Sequence, residues 1–113
     1  MEVLAAILIG LGVIVGGVMA YFGLQKNPIP KGLAILHGAL VGTGIILLLI
    51  YAITTGSHHK HWDSIIIFLI AATGGVYLLM KDLTSNKPPI AVMIVHALIG
   101  LGGIVWLTVH LFH

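Results

Sequence analysis

Two histidines are the residues best placed to do chemistry. His37 lies seven residues beyond Pro30 and His96 seven beyond Pro89, so at 1.5 Å per residue each sits roughly 10 Å into a helix that starts near its proline. Both fall within stretches that hold no Asp, Glu, Lys or Arg. An imidazole in such surroundings is costly, and its usual uses are ligation, proton relay or a hydrogen bond between helices. Two imidazoles at one depth, facing each other, can clasp an iron. A non-haem metal would ask for more donors, yet the chain has no Cys, and its acids, Glu2, Asp63 and Asp82, stand at the ends of the apolar stretches. Haem iron needs only the two axial ligands.

A flat macrocycle also needs room between backbones. Gly44 and Gly103 follow the two histidines by seven residues, nearly the same helical face, while Gly100 follows His96 by four and Gly42 follows His37 by five. The imidazole tautomers would be fixed by an acceptor, either a hydroxyl of Thr43, Thr73 or Thr108 or a backbone carbonyl; the sequence leaves that choice open.

The elements that carry these residues follow from composition. Of 113 residues, 59% are hydrophobic and 7% charged, against about 25% charged in an ordinary globular domain. Uncharged stretches run from Val3 to Gln25, Gly32 to Ser57, Ser64 to Met80 and Pro88 to His113, each near the ~20 residues that cross a ~30 Å hydrocarbon core. The expectation is a single all-α transmembrane domain, 1–113, an integral membrane up-down-up-down four-helix bundle with helices at about 3–25, 31–56, 63–82 and 88–112. Lys26-Asn27-Pro28-Ile29-Pro30 and Asn86-Lys87-Pro88-Pro89 end one helix and start the next, since Pro lacks a donor and suits a first turn.

A shift of 59 positions superposes Gly16 on Gly75, Leu24 on Leu83, Asn27 on Asn86, Pro30 on Pro89, Ile35 on Ile94, His37 on His96 and Gly44 on Gly103. This pattern reads as a tandem duplication of a two-helix hairpin, repeats about 1–56 and 60–113. An even number of spans per unit gives both copies one orientation, related by an axis along the membrane normal. Helices two and four then run parallel and can occupy diagonal corners.

Lysine counts set the expected orientation. Lys26, Lys31, Lys81 and Lys87 flank one side and Lys60 the other, which places both termini outside the cytoplasm, in a bacterial inner membrane. No positive n-region precedes the first apolar stretch, so it reads as a retained helix. No basic patch marks nucleic-acid binding, and the lack of Cys excludes disulfides, thiolate sites and c-type haem attachment.

With helices, glycines and paired histidines in place, the chain resembles the membrane cytochromes b, whose four-helix cores hold haem b between histidines of two helices. The likeness covers the bundle and the ligand pair. His96 and His110, thirteen residues between them, are also similar in spacing to the histidines by which di-haem members stack two haems along one helix. The counterpart of His110 in the first repeat is Tyr51, so a second haem lacks its obvious partner; Tyr51 itself, or one of His58, His59 and His61 folding back, would have to serve. The resemblance implies one haem, with a second as an option at His110.

A six-coordinate iron offers no position to a substrate, so an electron carrier or haem-handling protein is expected rather than an enzyme with its own substrate. Expected partners are the lipid bilayer, a quinone or redox protein, and further copies of the chain. Rival readings are a His-based proton or metal-ion transporter or channel, and a structural anchor subunit. Small multidrug exporters of this size depend on a carboxylate in the first span, and this chain has none beyond Glu2. His58, His59, His61, His110 and His113 form a potential zinc or copper cluster or a solvated polar face. Gly12 with Gly16, and Gly38 with Gly42, read as helix-packing surfaces; Tyr21, Trp62 and Trp106 read as interfacial anchors.

Overall fold

Pro30 and Pro89 each cap a helix rather than occupy its first turn. The Ala34 N–H donates to the Pro30 carbonyl at 3.3 Å and the Met93 N–H to that of Pro89 at 3.0 Å, so each proline supplies the first carbonyl of a helix while its own missing donor costs nothing. The computed structural model describes residues 1–85 and 89–112. It contains four helices, α1 (Glu2–Leu24), α2 (Lys31–Thr54), α3 (Trp62–Ser85) and α4 (Ile90–Phe112), all long and apolar enough to cross a membrane. The expected turn residues Asn86, Lys87 and Pro88, and His113, lie outside the described residues.

Three ends differ by two or more residues from the sequence expectation, among them the start of α4, at Ile90 rather than 88. α2 stops at Thr54 because Thr55 is extended, with ψ 144°. α3 runs three residues beyond residue 82, through polar residues, because the hydroxyls of Thr84 and Ser85 bond back to the carbonyls of Met80 and Lys81 at 2.8 Å each. α1 ends in a Schellman motif: the N–H of Lys26 donates to the Gly23 carbonyl and that of Asn27 to the Phe22 carbonyl, each at 3.0 Å. The left-handed position of that motif, normally glycine, is taken by Lys26 at φ 59°.

The helices pack as a bundle in which α1 touches α2 and α4, and α3 touches α4 and α2. α2 and α4 are therefore diagonal, as the histidine pair requires. Residues 59 apart occupy matching places in the core: Ala5 and Ser64, Ile9 and Phe68, and Leu48 and Leu107 are all at most 2% exposed. Together with Ile45, Ala52 and Ile65, the apolar members form one packed cluster, which fills one half of the bundle. The outer faces stay apolar and uncovered, with Ile14, Ile35 and Ile53 each at least 67% exposed.

Gly44 and Gly103 serve this packed half. A Cβ on Gly44 would collide with the Ile9 side chain and stand 3.0 Å from the Ala5 carbonyl oxygen; one on Gly103 would stand 2.8 Å from the Phe68 ring. Each glycine thus brings its helix against the preceding one, α2 onto α1 and α4 onto α3. They do not line the open space beside the histidines, because seven residues carry the chain from the hollow half of the bundle into the solid one.

Candidate functional site

The hollow half holds both histidines. A cavity of about 310 Å³ lies between all four helices, walled by His37, Gly38 and Gly42 of α2, His96 and Gly100 of α4, Gly16 of α1 and Gly75 of α3, among other mostly apolar residues. Along α3 it reaches from Phe68 to Asp82, fourteen residues or about 21 Å. Gly75, beside the His96 ring, is midway, so the imidazoles stand at the middle of the cavity. Gly42 and Gly100 line it as the sequence suggests. Gly38 and Gly42, read from sequence as a helix-packing pair, have open space where a Cβ would be.

Each histidine is held by the helix that precedes its own. The His37 Nδ1–H donates to the Gly12 carbonyl at 2.7 Å, and the His96 Nδ1–H to the Ala71 carbonyl at 2.7 Å. A carbonyl only accepts, so Nδ1 carries a proton in both rings, and in a neutral imidazole so held the Nε2 lone pair is left for another partner. Among the described residues no hydrogen bond reaches either Nε2. Thr73 and Thr108, considered from sequence as acceptors, spend their hydroxyls on their own helices, at Leu69 and Ile104. Backbone carbonyls fill the role.

The rings approach closely only because glycine faces them. A Cβ at Gly16 would lie 2.9 Å from Cε1 of His37, and one at Gly75 would lie 3.1 Å from Cε1 of His96. Gly16 and Gly75 are 59 apart, as are Gly12 and Ala71, so both seats are built from the same parts. The sequence offered this signal in the Gly16–Gly75 match, although their use as imidazole seats depends on how α1 and α3 are rotated.

The two ring centroids are 6.3 Å apart and their planes are 79° to one another. Imidazole–metal bonds are about 2 Å long, and with a ring radius of about 1 Å on each side one bridging iron would separate the centroids by about 6 Å. The separation, the two free Nε2 atoms, the tied Nδ1 protons and the apolar cavity all fit a bis-imidazole haem.

One polar side chain in the cavity wall escaped the sequence reading. Asp82 is 5% exposed, lines the cavity and is paired with Lys31. In the sequence it stands only as one of three acids at the ends of the apolar stretches. Burial follows from the continuation of α3 to Ser85 and from Lys31, the first residue of α2, which reaches across to it.

The far end of the bundle is polar in a different way. His61, 2% exposed, caps α3 in a left-handed conformation, φ 61°, and its Nε2 pairs with the Glu2 carboxylate. His59 stacks on His110 with centroids 5.6 Å apart, and His110 also lies against Trp106 at 4.4 Å. His59 therefore does fold back to meet His110. Tyr51 packs instead beside His61, at 5.8 Å. The fully buried Leu48, Ala52 and Leu107 occupy the interior near this level, so a second macrocycle would have to displace packed core. Among the described residues no group of three or more His, Cys, Asp or Glu side chains is arranged to hold a metal ion.

No protein-family model matches this chain, nor does any curated protein or solved structure.

Proposed function

We propose that the chain is an integral membrane b-type haem protein that binds one haem between α2 and α4 through His37 and His96. The observation that carries this reading is the imidazole pair in one cavity, ring centroids 6.3 Å apart, with both Nδ1 protons committed to backbone carbonyls. Bound there, haem supplies a one-electron couple, and ligation on both faces leaves iron no position for a substrate. Gly12 and Ala71 orient the imidazoles, and the cavity walls around them are mostly apolar. Electron transfer or the holding and passing on of haem fit this site; a wire across the bilayer would need the second haem that the packed core disfavours.

The membrane placement belongs to the same proposal. Connections of four to seven residues between helices of 23–24 residues are too short to return along the bundle, which favours an up-down course. The lysine distribution favours a cytoplasmic position for the cavity end, which carries Lys26, Lys31 and Lys81. A proton or ion path through the bundle would have to pass the cluster of Ile9, Ile45 and Phe68 that floors the cavity.

The test is the spectrum of detergent-purified protein supplied with haem, oxidised and reduced. Sharp reduced α and β bands, one haem per chain by pyridine haemochrome, and a strongly anisotropic low-spin ferric EPR signal from near-perpendicular imidazole planes are expected. A protein that takes up no haem overturns the reading.

A further inference from the structure

The cavity has two unlike ends. Toward the packed half it is floored by Ile9, Ile45 and Phe68; toward the other it reaches Ile29, Met93 and Asp82. Neither Ile9 nor Phe68 is more than 2% exposed, and among the described residues lining that end none is charged. At the opposite end Lys31 is held on Asp82 with its side chain 48% exposed, and it precedes His37 by six residues, about 9 Å along α2. Lys81 adjoins Asp82 in sequence, and Lys26 lies in the turn before α2.

Resting on the haem reading, we infer that Lys31 and Asp82 form a carboxylate subsite that orients the cofactor, with its propionate edge toward the lysine-bearing end. An ionised propionate is excluded from the apolar floor by its desolvation cost, so only the Lys31 end remains. The Lys31 ammonium has three donors, one of which serves Asp82 before the cofactor arrives. Asp82 neutralises Lys31 in the empty cavity and competes with an incoming carboxylate. The pair therefore acts as a latch: Lys31 is satisfied without ligand and is shared or surrendered when a carboxylate enters.

The inference separates haem from haem dimethyl ester, which has the same iron and macrocycle but no carboxylates. Affinities of both for the full chain in detergent, by titration of the Soret band, are the measurement. The unsubstituted protein should prefer haem by about tenfold. Lys31→Ala should remove that preference by weakening haem alone, and Asp82→Asn should strengthen haem severalfold while leaving the ester unchanged. Equal affinity of the two ligands for the unsubstituted protein, or equal weakening of both by Lys31→Ala, overturns the subsite and leaves the haem reading standing. Binding of neither ligand overturns both.

Discussion

Residues 59 apart meet each other at two places in the bundle, and the two meetings have different chemistry. His37 faces His96 in the hollow half; Glu2 pairs with His61 at the far end. Positions related by the repeat can touch only close to the axis that relates them, so both pairs lie near one pseudo-twofold axis. At the far end the two positions hold an acid and a base, a pair that needs unlike partners. At the cavity both positions hold histidine, and each ring is held by the backbone carbonyl at the matching position, Gly12 or Ala71. A single ion bound on the axis from both sides asks for like ligands, which is the arrangement at His37 and His96.

The largest effect should separate these two pairs. His37→Ala or His96→Ala should abolish the reduced α and β bands, because one axial ligand cannot maintain a low-spin six-coordinate iron. His61→Ala should leave those bands in place, since Tyr51, beside His61, is fourteen residues from His37, about 21 Å along α2. Its cost should fall on stability instead: it leaves the Glu2 carboxylate without its partner, a loss of about 1–3 kcal/mol, read as a lower midpoint in denaturant. Loss of haem in His61→Ala with the fold intact would break the assignment of distinct roles.

The solid and hollow halves offer a second contrast, through glycines that look alike in sequence. Gly44→Ala and Gly103→Ala should each destabilise the bundle by about 1–3 kcal/mol through overpacking, with the position of the haem bands unchanged in protein that remains folded. The obstacle at Gly44 includes the Ala5 backbone oxygen at 3.0 Å, while that at Gly103 is the Phe68 and Ile67 side chains, so Gly44→Ala should be the more damaging. Gly16→Ala and Gly75→Ala should act the other way, lowering haem affinity by about tenfold, a shift of about 1.4 kcal/mol, with little change in stability. The order should be Gly16 before Gly75, following the 2.9 and 3.1 Å approaches to the rings. A Gly44→Ala protein of full stability with displaced haem bands would reverse the roles given to the two sets.

Much of this was legible in the sequence because apolar length and prolines set helix number, and repeated spacing set which histidines share a depth. The diagonal placement of α2 and α4 followed from that count. What the sequence withheld depends on rotation about each helix axis. Seven residues return a helix to almost the same face, so Gly44 and Gly103 looked like neighbours of the histidines, but they also move about 10 Å along it, from cavity to core. Gly16 and Gly75 were visible as a repeat match and could not be read as imidazole seats until α1 was set against α2 and α3 against α4. Asp82 was hidden by the same degree of freedom: at the end of a span a carboxylate can face water or the interior, and Lys31, 51 residues away, decides it.

The smallest predicted effect tests the turns that join the helices. Lys26 holds the left-handed position of the Schellman motif after α1, at φ 59°, where a side chain costs roughly 1–2 kcal/mol. Glycine there relieves the strain but adds freedom to the unfolded chain, which returns about 0.4–1 kcal/mol. Lys26→Gly should therefore stabilise the protein by at most about 1.6 kcal/mol, seen as a small rise in the denaturation midpoint. Haem affinity should be unchanged if Lys31 is the cation that meets the cofactor, because Lys26 sits in the turn and takes no part in the Asp82 pair. A fall in haem affinity in Lys26→Gly, without any fall in affinity for the dimethyl ester, would move the carboxylate contact from the first residue of α2 to the turn before it.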